Sequence, residues 1–342
     1  MSFKYLQKIP TVEQILQEMS LSEDLKMLKS QRDQLIIDTF MKKNKKFIII
    51  IGPCSADNED AVCEYVLKLK TLQDKVKDKI VIIPRVYTNK PRTTGQGYKG
   101  MAHQPDPSEA PNIVEGLKAI RKMHIRLLKE TNLTAADEML YPENYPYLED
   151  LISYVAIGAR SVENQQHRLT VSGLNIPIGM KNPTSGDLTV MLNSIQAAQS
   201  GHIFIYNGWE VKTTGNMLSH CILRGAVNQY GQNIPNYHYE DMIRLVDMYA
   251  KRQLQNANII VDVSHANSDK KFYEQSRIAR EVITNIKNSD ILKDFIRGIM
   301  IESYLIEGNQ SVPGKVFGKS ITDSCLGWDD SEKLVLEIAD LL

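Results

Sequence analysis

The sequence lacks the features that mark several specialised classes of protein. Cysteine is scarce, and Cys54, Cys63, Cys221 and Cys325 lie far apart without paired spacing, which argues against a disulfide framework and a structural zinc module. No apolar run approaches the roughly 20 residues that span a bilayer. The N-terminus has no signal-peptide core. We therefore expect a protein of the cytoplasm.

Neither sign of charge is in excess. Lys+Arg and Asp+Glu number 41 each, so nothing in the overall charge attracts nucleic acid or an anionic membrane, although a cationic pocket can lie within a neutral total. A hydrophobic content of 42% and a charged content of 24% are ordinary for a globular protein. The 342 residues suffice for one large or two ordinary domains.

Short apolar runs rich in isoleucine and valine recur along the chain and predict buried strands. The predicted strands are 47–52, 80–86, 133–138, 156–160, 176–181, 203–206, 220–224, 258–264 and 298–302. Helical spacing of apolar residues alternates with them, at 57–71, 112–129, 239–254, 269–287 and 330–342. This alternation favours a parallel sheet with crossover helices.

One of the nine predicted strands belongs to a local hairpin. The run 203–206 is followed by Asn207-Gly208 and then by 209–212, and an Asn-Gly turn between two strand-like runs predicts an antiparallel insertion. The remaining eight strands predict an α/β fold, a (β/α)8 TIM barrel, whose usual length of about 250 residues fits 47–342. A doubly wound open sheet is the alternative, but no Gly-x-Gly-x-x-Gly follows the first strand.

Residues 1–46 are predicted to form a helical arm that precedes the barrel. Helical spacing begins near Thr11 and again from Leu25 to Met41, with Ser22 and Asp24 as candidate caps of the second helix. The lysine-rich stretch 42–46 is predicted to be a solvated connector. Such an arm covers a strand end or a subunit contact more often than it carries chemistry.

Four side chains at predicted strand ends could bind a metal ion. They are Cys54, His265, Glu302 and Asp323. A thiolate, an imidazole and two carboxylates suit a borderline divalent ion such as Mn, Fe, Co or Zn, with a position left open to polarise a carbonyl. Taken singly, each has a structural alternative, since a strand-end cysteine is usually a small buried hydrophobe. Because all four are expected at the same end of the barrel, a shared metal site is favoured over separate structural roles.

A second set of strand-end residues is cationic. It comprises Arg85, Lys90, Arg92, Arg160, Lys181 and Arg224. Burying so many like charges is costly, so the pocket is expected to receive anions, and guanidinium groups match carboxylate and phosphate oxygens. The hydroxyls of Thr93 and Thr94 are consistent with a second phosphate site, and Glu138 could orient an arginine or a water. Internal salt bridges are the alternative. Together with the metal, the set indicates a phosphorylated substrate that carries a carbonyl.

These residues lie in motifs that closely resemble one family. The motifs are IGPCS at 51–55, PRVYTNKPRTT at 84–94, AIGARSVENQQHR at 156–168, GMKNPTSGD at 179–187, ILRG at 222–225, DVSHAN at 262–267, IESYLIEGNQ at 301–310 and GKSITDSCLGW at 318–328. In this order they resemble the type I 3-deoxy-D-arabino-heptulosonate-7-phosphate (DAHP) synthases, in their microbial subgroup regulated by aromatic amino acids. These are the first enzymes of the shikimate pathway.

The resemblance implies roles for individual residues. Cys54, His265, Glu302 and Asp323 would bind the divalent metal, for which Mn²⁺ is favoured over Fe²⁺, Co²⁺ or Zn²⁺. Phosphoenolpyruvate would be held by Arg85, Lys90, Arg160, Lys181 and Arg224, with Glu138 beside its site and Ala159 among the substrate-binding residues. The phosphate of erythrose 4-phosphate would be held by Arg92 and Thr93. Cys54, Lys90 and His265 would take part in catalysis, Lys90 as a candidate proton donor.

The resemblance further implies an aldol-like condensation, feedback inhibition by an aromatic amino acid, and a homodimer or homotetramer. The hairpin 203–214 departs from the family's usual sequence, and in relatives it forms part of the inhibitor site and subunit contacts together with the N-terminal arm. Two alternatives stay open. One is a sibling synthase of the 3-deoxy-octulosonate 8-phosphate or sialic acid type, and the other is a barrel that binds phosphometabolites without catalysis.

Overall fold

The structure is a computed structural model that describes residues 2–342. Eight parallel strands form its central sheet: β1 (Phe47–Gly52), β2 (Ile80–Pro84), β3 (Ala135–Glu138), β4 (Ile152–Ile157), β5 (Ile178–Lys181), β8 (Ser219–Leu223), β11 (Ile259–Asp262) and β12 (Ile296–Glu302). Their order in the sheet is β2-β1-β12-β11-β8-β5-β4-β3. A bridge between Arg85 and Ala136, beside a bond from Val86 N to the Ala136 carbonyl, joins the outermost strands. The predicted (β/α)8 barrel is confirmed.

Helices follow most of the strands and cover the outside of the barrel. They are α3 (Glu59–Val76), α4 (Ile113–Thr131), α5 (Gln165–Val171), α6 (Leu188–Ala198), α7 (Tyr239–Arg252), α8 (Glu274–Lys287), α9 (Asp290–Phe295) and α10 (Trp328–Leu341). A 3₁₀ helix spans Pro142–Tyr147. Among residues 2–342, no helix is both long and apolar enough to cross a membrane.

The continuous apolar runs of the strands follow from burial on both faces. In β1, Ile48 and Ile50 belong to a cluster inside the barrel, whereas Ile49 and Ile51 pack in the layer between strands and helices. Both faces of the strand are therefore dry, and its side chains alternate between two cores rather than between a core and solvent.

Two helices precede the barrel, α1 (Val12–Glu18) and α2 (Glu23–Phe40). Thr11 caps the first in a capping box. Ser22 caps the second, as predicted, while Asp24 lies in the first turn of α2 instead of capping it. Ile36 and Phe40 of α2 are fully buried in the cluster inside the barrel. The second helix therefore seals one end of the barrel interior.

The predicted hairpin is confirmed as β6 (Ile203–Tyr206) paired antiparallel with β7 (Trp209–Lys212). Asn207 and Gly208 have φ of 49° and 80°, the positive values that a type I′ turn requires. Two further short pairs were not predicted. They are β9 (Ala226–Val227) with β10 (Asn233–Ile234), and β13 (Ile306–Asn309) with β14 (Lys319–Ser320).

Some predicted boundaries are wrong. The strand predicted at 156–160 is β4, which runs from Ile152 to Ile157, because it starts directly after the turn that follows the 3₁₀ helix and its polar Ser153 interrupts the apolar run. The helix predicted at 269–287 begins only at Glu274. Asp269 and Lys270 have positive φ, which is incompatible with a right-handed helix.

Acid is expected to destabilise the protein partly through His124 of α4. Its Nε2 is buried without a hydrogen-bond partner, and burial, assisted by the Arg121 charge, lowers its pKa to about 4. The unfolded chain, with a histidine pKa of about 6.5, gains this proton first as the pH falls. His124 should therefore cost up to about 3 kcal/mol of unfolding free energy between pH 6.5 and 4.

Urea unfolding of His124→Leu at pH 7 and pH 4.5 measures this contribution. The variant should lose less stability on acidification than the wild type. Met123→Leu, a change at the preceding buried position, should keep the wild-type pH dependence. Equal acid sensitivity of all three proteins would contradict the assignment to His124.

Candidate functional site

The carboxyl ends of the barrel strands surround a cavity of about 250 Å³. Every residue predicted for the site lines it, apart from Glu302. Glu302 ends β12 and is buried, 3.0 Å from Arg85 Nη2 and 3.6 Å from His265 Nε2. The fold therefore brings together both sets of residues that the sequence placed at strand ends.

The four candidate metal donors stand as two pairs. Cys54 Sγ lies 3.5 Å from Asp323 Oδ2, and His265 Nε2 lies 3.6 Å from Glu302 Oε1. Among residues 2–342, no three His, Cys, Asp or Glu side chains are grouped closely enough to hold an ion as they stand. The donor set nevertheless has the composition that a borderline divalent ion prefers.

Lys90 accounts for the arrangement of one pair. Its ammonium lies 2.7 Å from Cys54 Sγ and 2.8 Å from Asp323 Oδ2, so it already contacts two of the four donors. Lys90 holds the pKa of Asp323 well below its usual range. Burial and the nearby Glu302 charge raise the pKa of Cys54 to about 11 despite the ammonium. Ligation by the Cys54 thiolate would therefore release a proton.

The cations fall into two groups according to their partners. Arg85 pairs with Glu302, Lys90 with Asp323 and Lys181 with Asp262. Among residues 2–342, no carboxylate lies within ion-pair distance of the other three, Arg92, Arg160 and Arg224. The alternative of internal salt bridges therefore explains only half of the set.

Arg224 has the clearest unmet demand for an anion. Its Nη1 is buried and has no hydrogen-bond partner, and burial lowers its pKa. A buried unpaired guanidinium nitrogen is costly. An anionic ligand in the cavity would satisfy this nitrogen.

Arg92 and Arg160 lie at a more exposed part of the cavity. Arg160 Nε donates to Thr93 Oγ1 at 2.9 Å, and Arg92 Nε donates to the Tyr98 carbonyl at 2.8 Å. Both guanidinium groups are thus oriented through Nε, which leaves their terminal nitrogens available to phosphate or carboxylate oxygens.

The position of the Glu138 carboxylate, at the end of β3, depends on the glycine that directly follows the neighbouring strand β4. A Cβ atom at Gly158 would lie 2.0 Å from Glu138 Oε1. Any larger residue at that position would displace the carboxylate from the cavity wall. The glycine before Ala159 and Arg160 is therefore required for the shape of the site.

Sequence reasoning missed Tyr87 and Lys270 in the cavity lining and Asp262 beneath it. Tyr87 lines the cavity and stacks under Arg85, whose Cζ is 3.7 Å from the ring centre, and Lys270 adds a further cation to the lining. Asp262 lies below, bound to His265 and Lys181. Tyr87 and Asp262 both lie inside quoted motifs that contain predicted site residues, which is the signal that could have identified them, whereas Lys270 lies outside every quoted motif.

The remaining histidines and cysteines lie elsewhere or serve packing. His220 is buried against Phe40 with ring centres 4.4 Å apart, and His167 Nε2 contacts the Leu140 carbonyl at 3.1 Å. Cys63 and Cys221 are buried in the layer between strands and helices. Cys325, in contrast, lies next to a candidate metal donor, since its Sγ accepts a hydrogen bond from the Cys54 backbone N at 3.4 Å.

A (β/α)8 barrel whose mouth gathers four metal-donor side chains and three unpaired arginines defines an enzyme that acts on anionic substrates. The sequence profile of the DAHP synthetase I family matches residues 22–336. The chain belongs to this family.

Relatives cover most of the chain. The Phe-sensitive phospho-2-dehydro-3-deoxyheptonate aldolase of Escherichia coli is 38% identical over 86% of this chain and 83% of its own length. The tyrosine-inhibited enzyme of Candida albicans is 38% identical over 85% and 80%. The structure of the Francisella tularensis phospho-2-dehydro-3-deoxyheptonate aldolase has a TM-score of 0.91 and 31% identity, and the match covers 99% of this chain and 98% of that one.

Proposed function

We propose that the cavity synthesises DAHP, by condensing phosphoenolpyruvate with erythrose 4-phosphate and water and releasing phosphate. DAHP synthesis is the activity of the family to which the chain belongs, and it is the first step of the shikimate pathway. The observation that carries the assignment to this cavity is the group of unpaired arginines beside the thiol, imidazole and carboxylate donors.

Phosphoenolpyruvate is assigned to the cations that stand at or just after the barrel strands. Its phosphate and carboxylate would be bound by Arg85, Lys90, Ala159, Arg160, Lys181 and Arg224, with Glu138 beside them. The unpaired Nη1 of Arg224 supports an anion at this position. The erythrose 4-phosphate phosphate is assigned to Arg92 and Thr93, whose side chains lie nearer the solvent.

The metal is assigned to Cys54, His265, Glu302 and Asp323, and Mn²⁺ is the proposed ion. Once bound, the ion would supply Lewis-acid polarisation of the aldehyde. Lys90 Nζ contacts Cys54 and Asp323 and would move from them to the phosphoenolpyruvate carboxylate. There its ammonium would donate a proton to the aldehyde oxygen as the new carbon–carbon bond forms, which turns that oxygen into a hydroxyl.

A chelator experiment tests this function. Purified protein is mixed with phosphoenolpyruvate and erythrose 4-phosphate, and loss of the enolpyruvate absorbance is followed together with phosphate release. EDTA should abolish turnover and Mn²⁺ should restore it. If phosphoenolpyruvate reacted with arabinose 5-phosphate but not with erythrose 4-phosphate, the sibling synthase would be favoured. A folded protein that is inactive with any divalent metal would favour the barrel that binds without catalysis.

The cavity beside the hairpin is the proposed site of an aromatic amino acid inhibitor. It has a volume of about 340 Å³ and is lined by Phe204, Tyr206 and Val211 of the two hairpin strands, and by polar groups that include Ser172 and Thr213. Aromatic rings with a few convergent polar groups are typical of small-molecule sites. The relatives' names, Phe-sensitive and tyrosine-inhibited, support a role in feedback.

Filling this cavity is expected to remove inhibition without loss of turnover. Val211→Trp should raise the inhibitory concentration of the effective amino acid, whether phenylalanine, tyrosine or tryptophan, by at least about tenfold, because about 1.4 kcal/mol of lost contact suffices. Glu210→Ala, an exposed hairpin change outside the cavity lining, is the control and should retain inhibition. Unchanged inhibition of Val211→Trp would contradict the site.

The N-terminal arm and the hairpin are also proposed to form subunit contacts. Phe3, Tyr5 and Leu6 of the arm are largely exposed, as are Ile205 and Trp209 of the hairpin. Exposed apolar groups in such number often mark an interface. We assign them to a homodimer or homotetramer, and sedimentation equilibrium would distinguish these two states from a monomer.

A further inference from the structure

Asp262 connects two parts of the site that sequence reasoning treated separately. It ends β11, and its side chain is fully buried. The carboxylate lies 2.8 Å from His265 Nδ1 and 3.4 Å from Lys181 Nζ. A single buried carboxylate therefore contacts both a candidate metal ligand and a candidate substrate cation.

The contact with His265 selects the position of the imidazole proton. Asp262 Oδ2 lies near Nδ1 but without the angle of a hydrogen bond, so the proton is placed by the Ser264 hydroxyl that lies between the two residues. Ser264 donates its one hydroxyl proton to Asp262 Oδ1 at 2.7 Å, and its oxygen lies 2.8 Å from His265 Nδ1. Toward the imidazole this oxygen can only accept, so Nδ1 carries the proton. Nε2 is left with its lone pair free on the side of Glu302, 3.6 Å away. This is the tautomer that a metal ligand requires.

The backbone makes this orientation dependent on its partners. His265 has φ of 52°, a left-handed conformation that is uncommon for a residue other than glycine. Such a conformation persists only where surrounding contacts determine it. The hydrogen bond from Lys270 N to the His265 carbonyl, at 2.8 Å, and the Asp262 contact at the imidazole hold the residue from both ends.

On the other side, Asp262 fixes a cation. Lys181 ends β5, which is separated from β11 by β8, and its side chain is only 3% exposed. Asp262 is its partner at ion-pair distance, and the ring of Tyr87 lies 5.6 Å below the ammonium. The carboxylate therefore supplies the negative charge that makes a buried ammonium tolerable at the pocket floor.

We propose that Asp262 is a positioning residue shared by the two halves of the site: it holds the Nε2 lone pair of His265 toward the metal and holds Lys181 toward phosphoenolpyruvate. The inference rests on the proposed function for the identity of the two ligands. It predicts that loss of one negative charge weakens the binding of both ligands when each is measured alone.

Asp262→Asn tests the proposal without using turnover. The amide matches the carboxylate in size but removes its charge. The Kd for Mn²⁺, measured by calorimetry with the metal alone, should rise about 10-fold to 100-fold, the usual effect of losing a partner of a metal-bound histidine. The Kd for phosphoenolpyruvate, measured with EDTA present, should rise about tenfold, because the charge that positions Lys181 is gone.

Asp137→Asn is the matched control. Asp137 is another buried carboxylate near a barrel strand end, in β3, but it bonds Thr88 and the Glu138 backbone N. Both of its Kd values should stay within about twofold of wild type, because asparagine keeps the oxygen that accepts from the Thr88 and Glu138 backbone N–H groups and Asp137 pairs with neither His265 nor Lys181. An Asp262→Asn protein with wild-type metal affinity would overturn the role at His265. Wild-type phosphoenolpyruvate affinity would overturn the link to Lys181.

The wild-type protein alone provides a second test, which applies even if Asp262→Asn does not fold. ¹⁵N-histidine NMR spectra are recorded with EDTA present, and the His265 signals are assigned by their loss in His265→Gln. The neutral His265 imidazole should carry its proton on Nδ1. A proton on Nε2 would overturn the proposal. Neither measurement requires DAHP formation, so failure of the proposed reaction and failure of the Asp262 role are distinguishable.

Discussion

His265→Ala should lower the kcat for DAHP formation by about a thousandfold or more, even at saturating Mn²⁺. The imidazole is the one nitrogen donor of the proposed metal set, and polarisation of the aldehyde by a metal is worth several kcal/mol, at 1.36 kcal/mol for each tenfold change in rate. Phosphate release, measured with both substrates at saturating concentrations, gives the change in kcat. Calorimetry with Mn²⁺ should show weakened metal binding by the same variant.

A histidine outside the cavity provides the control for this substitution. His202 precedes the hairpin and its Nε2 lies 2.7 Å from the Ala197 carbonyl, so His202→Ala should retain the wild-type kcat. If His265→Ala kept a kcat within about tenfold of wild type, the contribution of the imidazole would be no more than about 1.4 kcal/mol. The metal assignment would then be wrong.

Arg121→Met should lower the free energy of unfolding by about 3 kcal/mol, because two backbone carbonyls and one partly exposed carboxylate lose their donor, and each buried acceptor left unpaired costs about 1 to 3 kcal/mol. Arg121 is fully buried in α4 and forms a bidentate pair with Asp150, at 2.7 and 2.8 Å. Its guanidinium also donates to the carbonyls of Met19 and Tyr147. The variant therefore loses the group that joins α1, the 3₁₀ helix and α4. Urea unfolding at pH 7 measures the effect.

The same helix supplies a matched control. Arg126 also forms ion pairs, with Glu59, Asp60 and Glu130, but its side chain is 34% exposed. Exposed ion pairs contribute about 0 to 1 kcal/mol, so Arg126→Met should cost less than about 1 kcal/mol. Equal losses from the two substitutions would show that burial of Arg121 is not the cause of its effect.

The barrel could be predicted because its determinants are local. In Ile48–Ile51 every residue must be apolar, since both faces of the strand are buried, and such a run stands out in the sequence. The hairpin could be predicted for a similar reason, because Asn207 and Gly208 tolerate the positive φ that the turn needs. The start of β4 was misplaced because Ser153 interrupts its apolar run, and nothing else in the nearby sequence marks these residues as a strand.

Contacts between distant residues could not be predicted. Asp262 lies in a motif that was used only for its histidine, and its second partner, Lys181, is fixed by strand order rather than by spacing. Arg121 looks like a surface residue of an amphipathic helix until the 3₁₀ helix and α1 cover it. In each case burial and charge pairing are set by tertiary packing, which single-sequence patterns do not encode.

The joint between β2 and β3 differs from the other contacts around the barrel. The pairing of β1 with β2 joins five residue pairs, whereas the β2–β3 joint has the single bridge of Arg85 with Ala136. Two walls of the cavity, Arg85 and Glu138, flank this joint. The barrel wall is therefore joined by fewer backbone hydrogen bonds here than between β1 and β2, so we expect this seam to need the least free energy to open locally.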